Sequence, residues 1–251
     1  MVTWLPGHLF SRLPVYMFRR FTGVLLLVAA AACGSPEETP PPAEEIVSRA
    51  VDAMTALPGF AFSIARSGGP AYIDAGETIS FSRAEGIYVA PDSAQAAVRV
   101  VVPGIVAEIS VIAIGDRYWE TNLLTREWVE VPGDRAFNPA TLFDAAQGLP
   151  AMLLEDLHSV VFGTMAELEE LPGLELYLVA ADLVTEDLFP LTFGLIGPEP
   201  ARVHMYVEPG TFLLHRLIIT EPAAAPDLEP SVWQVDFWDF GATQEITPPT
   251  E

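Results

Sequence analysis

Residues 98–131 read VRVVVPGIVAEISVIAIGDRYWETNLLTREWVEV, and this stretch decides the fold. It is rich in β-branched residues and is interrupted only at Pro103-Gly104, at Gly115-Asp116 and in the polar segment 122–126. Short alternating runs separated by turn residues are typical of antiparallel hairpins. The stretch therefore predicts a four-stranded meander, to which the remaining strands are added.

The turns of this meander predict its register. A two-residue turn at Pro103-Gly104 places Val98 opposite Ile109, and a four-residue turn at 122–125 would place Trp119 opposite Trp128. The odd-numbered positions of the second strand are all apolar, and side chains alternate between the faces of a strand. One face of the meander should therefore be buried.

Composition argues for one acidic, extracytoplasmic domain. The 251 residues carry a net charge of −22, every basic residue is an arginine, and all 34 acidic residues lie beyond residue 33. Such a field repels nucleic acid and anionic membrane surfaces, so no nucleic-acid partner is expected. Because composition does not change again after residue 43, residues 44–251 are predicted to form a single domain.

The N-terminal segment is typical of a secretory signal. Arg19-Arg20 precede the apolar run 24–32 and the only cysteine, Cys33, and this run is too short for a spanning helix. Small residues before a lone cysteine resemble the lipobox of bacterial lipoproteins, which implies that Cys33 is diacylated; the alternative is a buried, inert cysteine. We predict a signal peptide over 1–32, with translation starting at Met17, and a proline-rich tether over 33–43.

The rest of the chain alternates between helical and strand periodicities. One amphipathic helix over 44–57 opens the domain, two short helices broken at Gly148-Pro150 lie in 138–155, and a helical or irregular apolar segment covers 185–196. Antiparallel strands with helices gathered to one side predict an α+β fold. The strands outside the meander are predicted at 60–66, 77–83, 86–90, 158–168, 174–180, 202–208, 212–220 and 231–240.

Several short motifs, by their order and spacing, resemble the LppX/LprAFG family of bacterial lipoproteins over residues 33–251. The resemblance implies a LolA/LolB-like half-barrel: a strongly bent antiparallel sheet whose concave face is covered by helices around an apolar cavity for acyl chains. It implies no catalytic residues. The motifs are the lipobox and tether, Leu57-Pro58-Gly59-Phe60, 84–86 with 91–92, 114–119, Glu127-Trp128, Phe143-Asp144 with Gly148-Leu149, and 239–241 with 246–249.

Strand parity and the two covering segments give the candidate cavity residues. These inward positions could also pack as a solid core, but glycine and proline breaks in both covering segments suit movable lids, and a ligand pocket is mostly apolar. The predicted lipid-binding residues are Phe62, Ile64, Ile79, Phe81, Val100, Ile109, Val111, Leu149, Leu153, Phe189, Phe193, Met205, Val235 and Phe237.

Signals for catalysis or metal binding are weak. The sequence contains none of the common hydrolase, zinc-protease or nucleotide-binding motifs, so neither an enzyme nor a cofactor is expected. His204 and His215 would lie opposite each other if the hairpin at Pro209-Gly210 had a two- or four-residue loop. Without a third ligand they are interpreted as a surface pair, and no metal site is expected.

The sequence therefore predicts a monomeric extracytoplasmic lipoprotein, tethered to the cell membrane through acylated Cys33. It would bind the acyl chains of a lipid or glycolipid and carry that lipid through the cell envelope, with a membrane transporter or an acceptor lipoprotein as further partner. The alternative is a structural or interaction lipoprotein with a filled core and no ligand.

Overall fold

A computed structural model describes residues 39–132, 139–186, 188–192, 194–223, 225, 227 and 229–250. Within these residues the helices are α1 (Ala43–Thr55), a 3-10 helix (Pro139–Phe143), α2 (Leu149–Glu155) and α3 (Leu188–Leu191). The strands are β1 (Gly59–Ser67), β2 (Ala71–Tyr72), β3 (Ser80–Val89), β4 (Ser93–Val102), β5 (Ile105–Ile114), β6 (Arg117–Thr121), β7 (Trp128–Val131), β8 (Leu157–Glu167), β9 (Glu175–Leu183), β10 (Ala201–Val207), β11 (Leu214–Glu221) and β12 (Ser231–Trp238).

All the described strands join one antiparallel sheet. Its order is β7-β6-β5-β4-β3-β1-β12-β11-β10-β9-β8, and β2 pairs with β3 beside this path. The sheet is curled but open, since β7 and β8 form its two ends. The predicted α+β class, with a bent antiparallel sheet and helices on one side, is confirmed.

The first hairpin of the meander has the predicted register. Val98 pairs with Ile109 and Val100 with Ala107 across the two-residue turn between β4 and β5. The concave side of this hairpin is the apolar side, because Val100 and Val111 are buried there. A two-residue turn leaves no freedom in pairing, which is why the prediction succeeded.

The predicted pairing of Trp119 with Trp128 is wrong. Trp119 lies opposite Glu130, and Thr121 lies opposite Trp128, because the loop spans residues 122–127 rather than four residues. The Asn122 side chain accepts hydrogen bonds from the backbone N–H groups of the second and third residues after it, at 2.9 and 3.1 Å. This local capping stabilises a longer loop than the strand pattern alone suggests.

His204 and His215 do not lie opposite each other, because the hairpin loop has neither two nor four residues. His204 lies opposite Ile218, and the register shifts at a bulge beside Val207. The hairpin loop spans residues 208–213 and is closed by the Glu208 N–H, which donates to the Leu213 carbonyl oxygen at 2.9 Å. A six-residue loop followed by a bulge moves the two imidazoles out of register.

The strands predicted at 77–83 and 86–90 form a single strand, β3. The gap predicted at residues 84–85 is absent, and Gly86, predicted as the first residue of the second strand, lies inside β3. A Cβ atom at this position would lie 2.2 Å from the Gln95 carbonyl oxygen and 2.7 Å from the Ala96 Cβ. Glycine is therefore required by the close approach of β4 and not by a turn.

Helix α1 packs its apolar stripe against α2, β8, β9 and β11. Ile46, Val47, Ala50 and Val51 are buried on this stripe. Glu44 and Glu45 occupy the first turn, where carboxylates interact favourably with the helix dipole. The spacing of the apolar residues thus fixes which side of the helix covers the sheet.

Residues 40–251 form one compact unit that contains the described helices, the sheet and the buried core. A chain that starts at Pro40 therefore holds every element that the fold needs. The predicted signal peptide, Cys33 and the tether up to residue 38 lie outside the described residues. Among the helices that the structure describes, none is long and apolar enough to cross a membrane.

Candidate functional site

Two apolar cavities lie between the concave face of the sheet and its covering segments. Cavity 1 has a volume of about 220 Å³ and cavity 2 of about 230 Å³. Each is smaller than the ~300–1,000 Å³ of pockets for drug-sized ligands, whereas the two together reach that range. The concave side of the sheet is thus neither fully packed nor occupied by one large void.

Cavity 1 lies between α1, α2 and the β10–β12 part of the sheet. Met205, Leu217 and Phe237 form its floor, and Val47 and Leu153 are among its helical walls. Asp144 and Thr55 supply polar groups at its margin. An apolar interior with few polar groups at the edge suits a hydrocarbon chain better than a polar ligand.

Cavity 2 lies over β3–β6 and the adjoining strands β1, β11 and β12, and small side chains line part of it. Ala84 and Ala96 form part of its floor, while Leu188 and Ile196 of the second covering segment form part of its roof. Large side chains at the two alanine positions would fill this space. The volume of cavity 2 therefore depends on residue size rather than on the alternation of apolar and polar positions.

The polar groups of cavity 2 are few. The Tyr118 hydroxyl donates to the Glu120 carboxylate at 3.4 Å, and the Thr192 hydroxyl donates to the Leu188 carbonyl oxygen at 2.8 Å. Burial, reinforced by the Glu120 charge, raises the pKa of Tyr118 above its usual value. This environment favours neutral groups over charged ones.

Phe143, at the end of the 3-10 helix, stands between the two cavities. Its ring lies 4.9 Å from that of Phe62, which lines cavity 2, and 5.1 Å from that of Phe60, which lines cavity 1. Tyr88 and Phe237 complete the cluster at 5.3 and 6.1 Å. A single aromatic side chain therefore forms much of the partition.

The first covering segment, residues 139–155, turns at Gly148. Gly148 precedes α2 and accepts the Met152 N–H at 3.2 Å. A Cβ atom on Gly148 would lie 2.6 Å from the carbonyl oxygens of Leu142 and Thr141. The predicted break is confirmed at this glycine, while Pro150 lies in the first turn of α2, where its missing N–H leaves no hydrogen bond unmade.

The second covering segment, residues 188–197, is fastened to β11 by Glu221. Its carboxylate accepts the Gly197 N–H at 2.7 Å and the Trp233 indole N–H at 2.7 Å. The Arg66 guanidinium lies over the Trp233 ring at 5.1 Å and donates to the Ser231 hydroxyl at 2.8 Å. One carboxylate thus connects the roof of cavity 2 to a side chain of its wall.

Most of the residues predicted from strand parity are brought together at the cavities. Phe189 is 41% exposed and lines neither cavity, because it points out of the short helix α3. Ile79 precedes β3 and Val100 is packed in the core, so neither lines a cavity, and Phe193 lies outside the described residues. The predicted residues that line cavity 2 are Phe62, Ile64, Phe81, Ile109, Val111, Leu149 and Val235. Those that line cavity 1 are Leu149, Leu153, Met205 and Phe237.

Sequence reasoning missed three kinds of lining residue. The face of α1 that includes Val47 and Ala50 was treated only as part of an amphipathic helix, although its periodicity could have added it to the site. Ala84 and Ala96 were missed because small residues give no hydrophobic signal. Tyr118 also lines cavity 2, but at the sequence level it was considered only as part of the motif 114–119.

The described residues hold no group of three or more His, Cys, Asp or Glu side chains that could bind a metal ion. His215 lies 3.4 Å from the Glu208 carboxylate and against the Phe240 ring. Burial, together with the nearby Arg202 charge, lowers the pKa of His204. The two histidines thus occupy separate environments.

No protein-family model matches the sequence, and neither does any curated protein. Two solved structures are similar in fold. LprF from Mycobacterium bovis aligns with a TM-score of 0.63 at 16% identity, covering 83% of this chain and 97% of its own. The lipoprotein LppX from Mycobacterium tuberculosis aligns with a TM-score of 0.56 at 12% identity, covering 82% of this chain and 98% of its own. The predicted resemblance is confirmed as a likeness of fold.

Proposed function

We propose that this protein binds the acyl chains of a lipid or glycolipid in the two cavities and carries that lipid through the cell envelope. The observation that carries the proposal is the pair of apolar cavities under the covering segments on the concave face of the sheet. The proposed lipoprotein anchor at Cys33 would keep this carrier at the outer surface of the cell membrane.

Energetics support an acyl ligand. Hydrocarbon that leaves water for an apolar cavity contributes about 25 cal/mol per Å² of buried area, so affinity needs no specific polar contact. Selectivity would then arise from cavity length and from the few polar groups at the margins, Asp144 beside cavity 1 and Glu120 beside cavity 2. Binding and release need no chemical step, so the proposed carrier is not an enzyme.

The likeness to LprF and LppX supports the half-barrel fold on which the proposal depends. LppX is described as a lipoprotein, and both chains are covered almost entirely by this one. The rival proposal, a lipoprotein with a filled core, has to leave both cavities empty. An empty apolar cavity lowers stability, because the atoms around it lose packing contacts.

Native mass spectrometry of the chain from Pro40, purified without detergent from lipid-containing cells, tests the proposal. We expect a bound lipid mass in the unmodified protein. Val111→Trp should fill cavity 2 and Met205→Trp should fill cavity 1, so each should reduce the retained lipid while circular dichroism shows a folded domain. The matched control is Val161→Trp, at an exposed position of β8, which should retain lipid.

The filled-core alternative predicts a different pattern. It gives no bound lipid in any variant, and the two inward tryptophans then cost about 1–3 kcal/mol of unfolding free energy through overpacking. Absence of lipid after incubation with phospholipid vesicles, together with such a loss, would reject the carrier proposal.

A further inference from the structure

The turn between β4 and β5 is an exposed apolar projection. We call residues 101–106, VVPGIV, the apolar tip. Val101 is 41% exposed, Ile105 62% and Val106 63%. Soluble proteins seldom expose contiguous apolar side chains without a function, and no charged residue lies within the tip.

The tip is apolar on both faces of the sheet. Val101 pairs with Val106, and their side chains lie on the convex face because Val100 beside them is concave. Ile105 lies on the opposite, concave face. A groove on a partner protein would cover one face of a hairpin, whereas a lipid phase surrounds both.

Neighbouring strands extend this apolar surface to the rim of cavity 2. Tyr72 pairs with Ser80, which pairs with Val101, so the tyrosine lies in the same cross-strand row as the tip. The next residue, Ile73, is 42% exposed and also lines cavity 2. Ile109, another lining residue, lies on the same face of β5 as Ile105 and about 13 Å along the strand.

Arginines lie directly behind the tip on the convex face. Arg83 pairs with Arg99 across β3 and β4, and Arg99 lies opposite Glu108 on β5. The Arg126 guanidinium reaches the same place and donates to the Glu108 carbonyl oxygen. We call Arg83, Arg99 and Arg126 the arginine row. Arg83 is paired with the Glu85 carboxylate at 3.1 Å, so Arg99 and Arg126 are the main candidates for contact with phosphates. Three exposed arginines in one place nevertheless contrast with the net charge of −22 for the whole chain.

We propose that the apolar tip inserts into the interfacial layer of a phospholipid membrane, with the arginine row contacting lipid phosphates and the rim of cavity 2 facing the lipid. Apolar side chains at a tip and cations at headgroup level are the arrangement that a hydrocarbon phase bounded by phosphates favours. The role of this docking in lipid transfer rests on the proposed function. The docking itself would occur whether or not the protein carries a lipid.

Sedimentation of the chain from Pro40 with phosphatidylcholine vesicles tests the docking. Zwitterionic vesicles are used because the acidic remainder of the chain repels an anionic surface. Val106→Asp should weaken binding at least tenfold, since the exposed position tolerates the carboxylate in the fold but the lipid phase does not. The matched control is Val161→Asp, which adds the same charge to an exposed convex position on β8 and should change binding less than twofold.

The arginine row is tested separately. Arg99→Gln should weaken vesicle binding about two- to fivefold, whereas Arg117→Gln, which removes an arginine paired with Glu130 at 2.9 Å, should leave it unchanged. Equal binding by the parent, Val106→Asp and Arg99→Gln overturns the proposal. A concentration-dependent dimer that Val106→Asp abolishes, without vesicle binding, also overturns it and assigns the tip to a second copy of the chain.

Native mass spectrometry of Val106→Asp separates this proposal from the carrier function. Retained lipid with lost vesicle binding supports both proposals. Vesicle binding that depends on Val106, with no lipid in any variant, supports the docking and rejects the carrier.

Discussion

The two halves of the concave face follow the same alternation but differ in the size of their side chains. The half formed by β3–β6, here the alanine half, is covered by the 3-10 helix and encloses cavity 2. The half formed by β9–β12, here the large-residue half, packs against α1 and borders cavity 1. The alanine half has small inward residues at Ala84, Gly86, Ala94, Ala96 and Ala113 beside larger ones such as Val100 and Val111. The large-residue half has mainly larger ones, Val179, Leu183, Val203, Met205 and Leu217, beside Ala181 and Ala201.

This difference shows that the alternation of apolar and polar positions does not by itself determine where space is left under the cover. Both halves bury apolar side chains at every second position, so their hydrophobic patterns are alike. Small side chains add to the room beneath the cover in the alanine half, whereas cavity 1 in the other half lies between larger side chains and the covering helices. Four experiments test the contrast, in order of expected effect.

The largest loss of stability is expected in the large-residue half. Leu183→Ala should lower the free energy of unfolding by about 2–5 kcal/mol, because a fully packed side chain is removed and the surroundings cannot collapse. Ile109→Ala, beside the existing cavity 2, should cost about half as much or less. Urea unfolding of the two variants measures this, and equal losses would contradict the contrast.

The next effect concerns the cover of the alanine half. Gly148→Ala should lower the free energy of unfolding by about 1–3 kcal/mol, since the added methyl group overlaps backbone carbonyl oxygens of the 3-10 helix. Gly69→Ala is the matched control, because its Cβ would meet only the Ser231 hydroxyl, at 3.8 Å, and should change stability by less than about 0.5 kcal/mol. Thermal unfolding compares the pair, and similar shifts would show that Gly148 is not constrained.

A smaller effect on stability, with a clear effect on ligand size, is expected at the partition. Phe143→Leu should cost about 1–2 kcal/mol and should join the two cavities, so that longer fatty acids are retained in native mass spectrometry. Phe162→Leu, whose ring packs on Tyr177 away from both cavities, should leave the preferred chain length unchanged. An unchanged preference in Phe143→Leu would show that other residues separate the cavities.

The smallest expected effect is on the pH dependence of stability, through Tyr118. Because the pKa of Tyr118 is raised in the folded state, the unfolded chain releases this proton first, and stability should fall as pH rises above about 10. Tyr118→Phe should make that decline shallower, with no difference in slope near pH 8. Urea unfolding from pH 8 to 11 measures the slopes; identical slopes for the parent and Tyr118→Phe would place the hydroxyl in water.

The fold was largely predictable from local signals. Pro103-Gly104 fixed the register of β4 and β5 because a two-residue turn permits one pairing. The same reasoning did not give the register across the loops at 122–127 and 208–213. The lengths of these loops are set by side-chain and backbone hydrogen bonds, which strand periodicity does not reveal.

The site was less predictable than the fold. Parity placed Phe62 and Val111 correctly because alternation decides the face of a strand. It could not assign Phe189, which lies on a four-residue helix, or recognise that Ala96 leaves space. Such positions depend on how covering segments pack, which is a property of the tertiary structure.

The central place of β1 in the sheet has a consequence for assembly. β1 pairs with β3 on one side and with β12, the last strand of the chain, on the other. During synthesis the two halves can each form hairpins early, but they are joined only when the final strand arrives. A protein shortened by its last twenty residues would therefore lack most of β12, the strand that joins the two halves in the middle of the sheet.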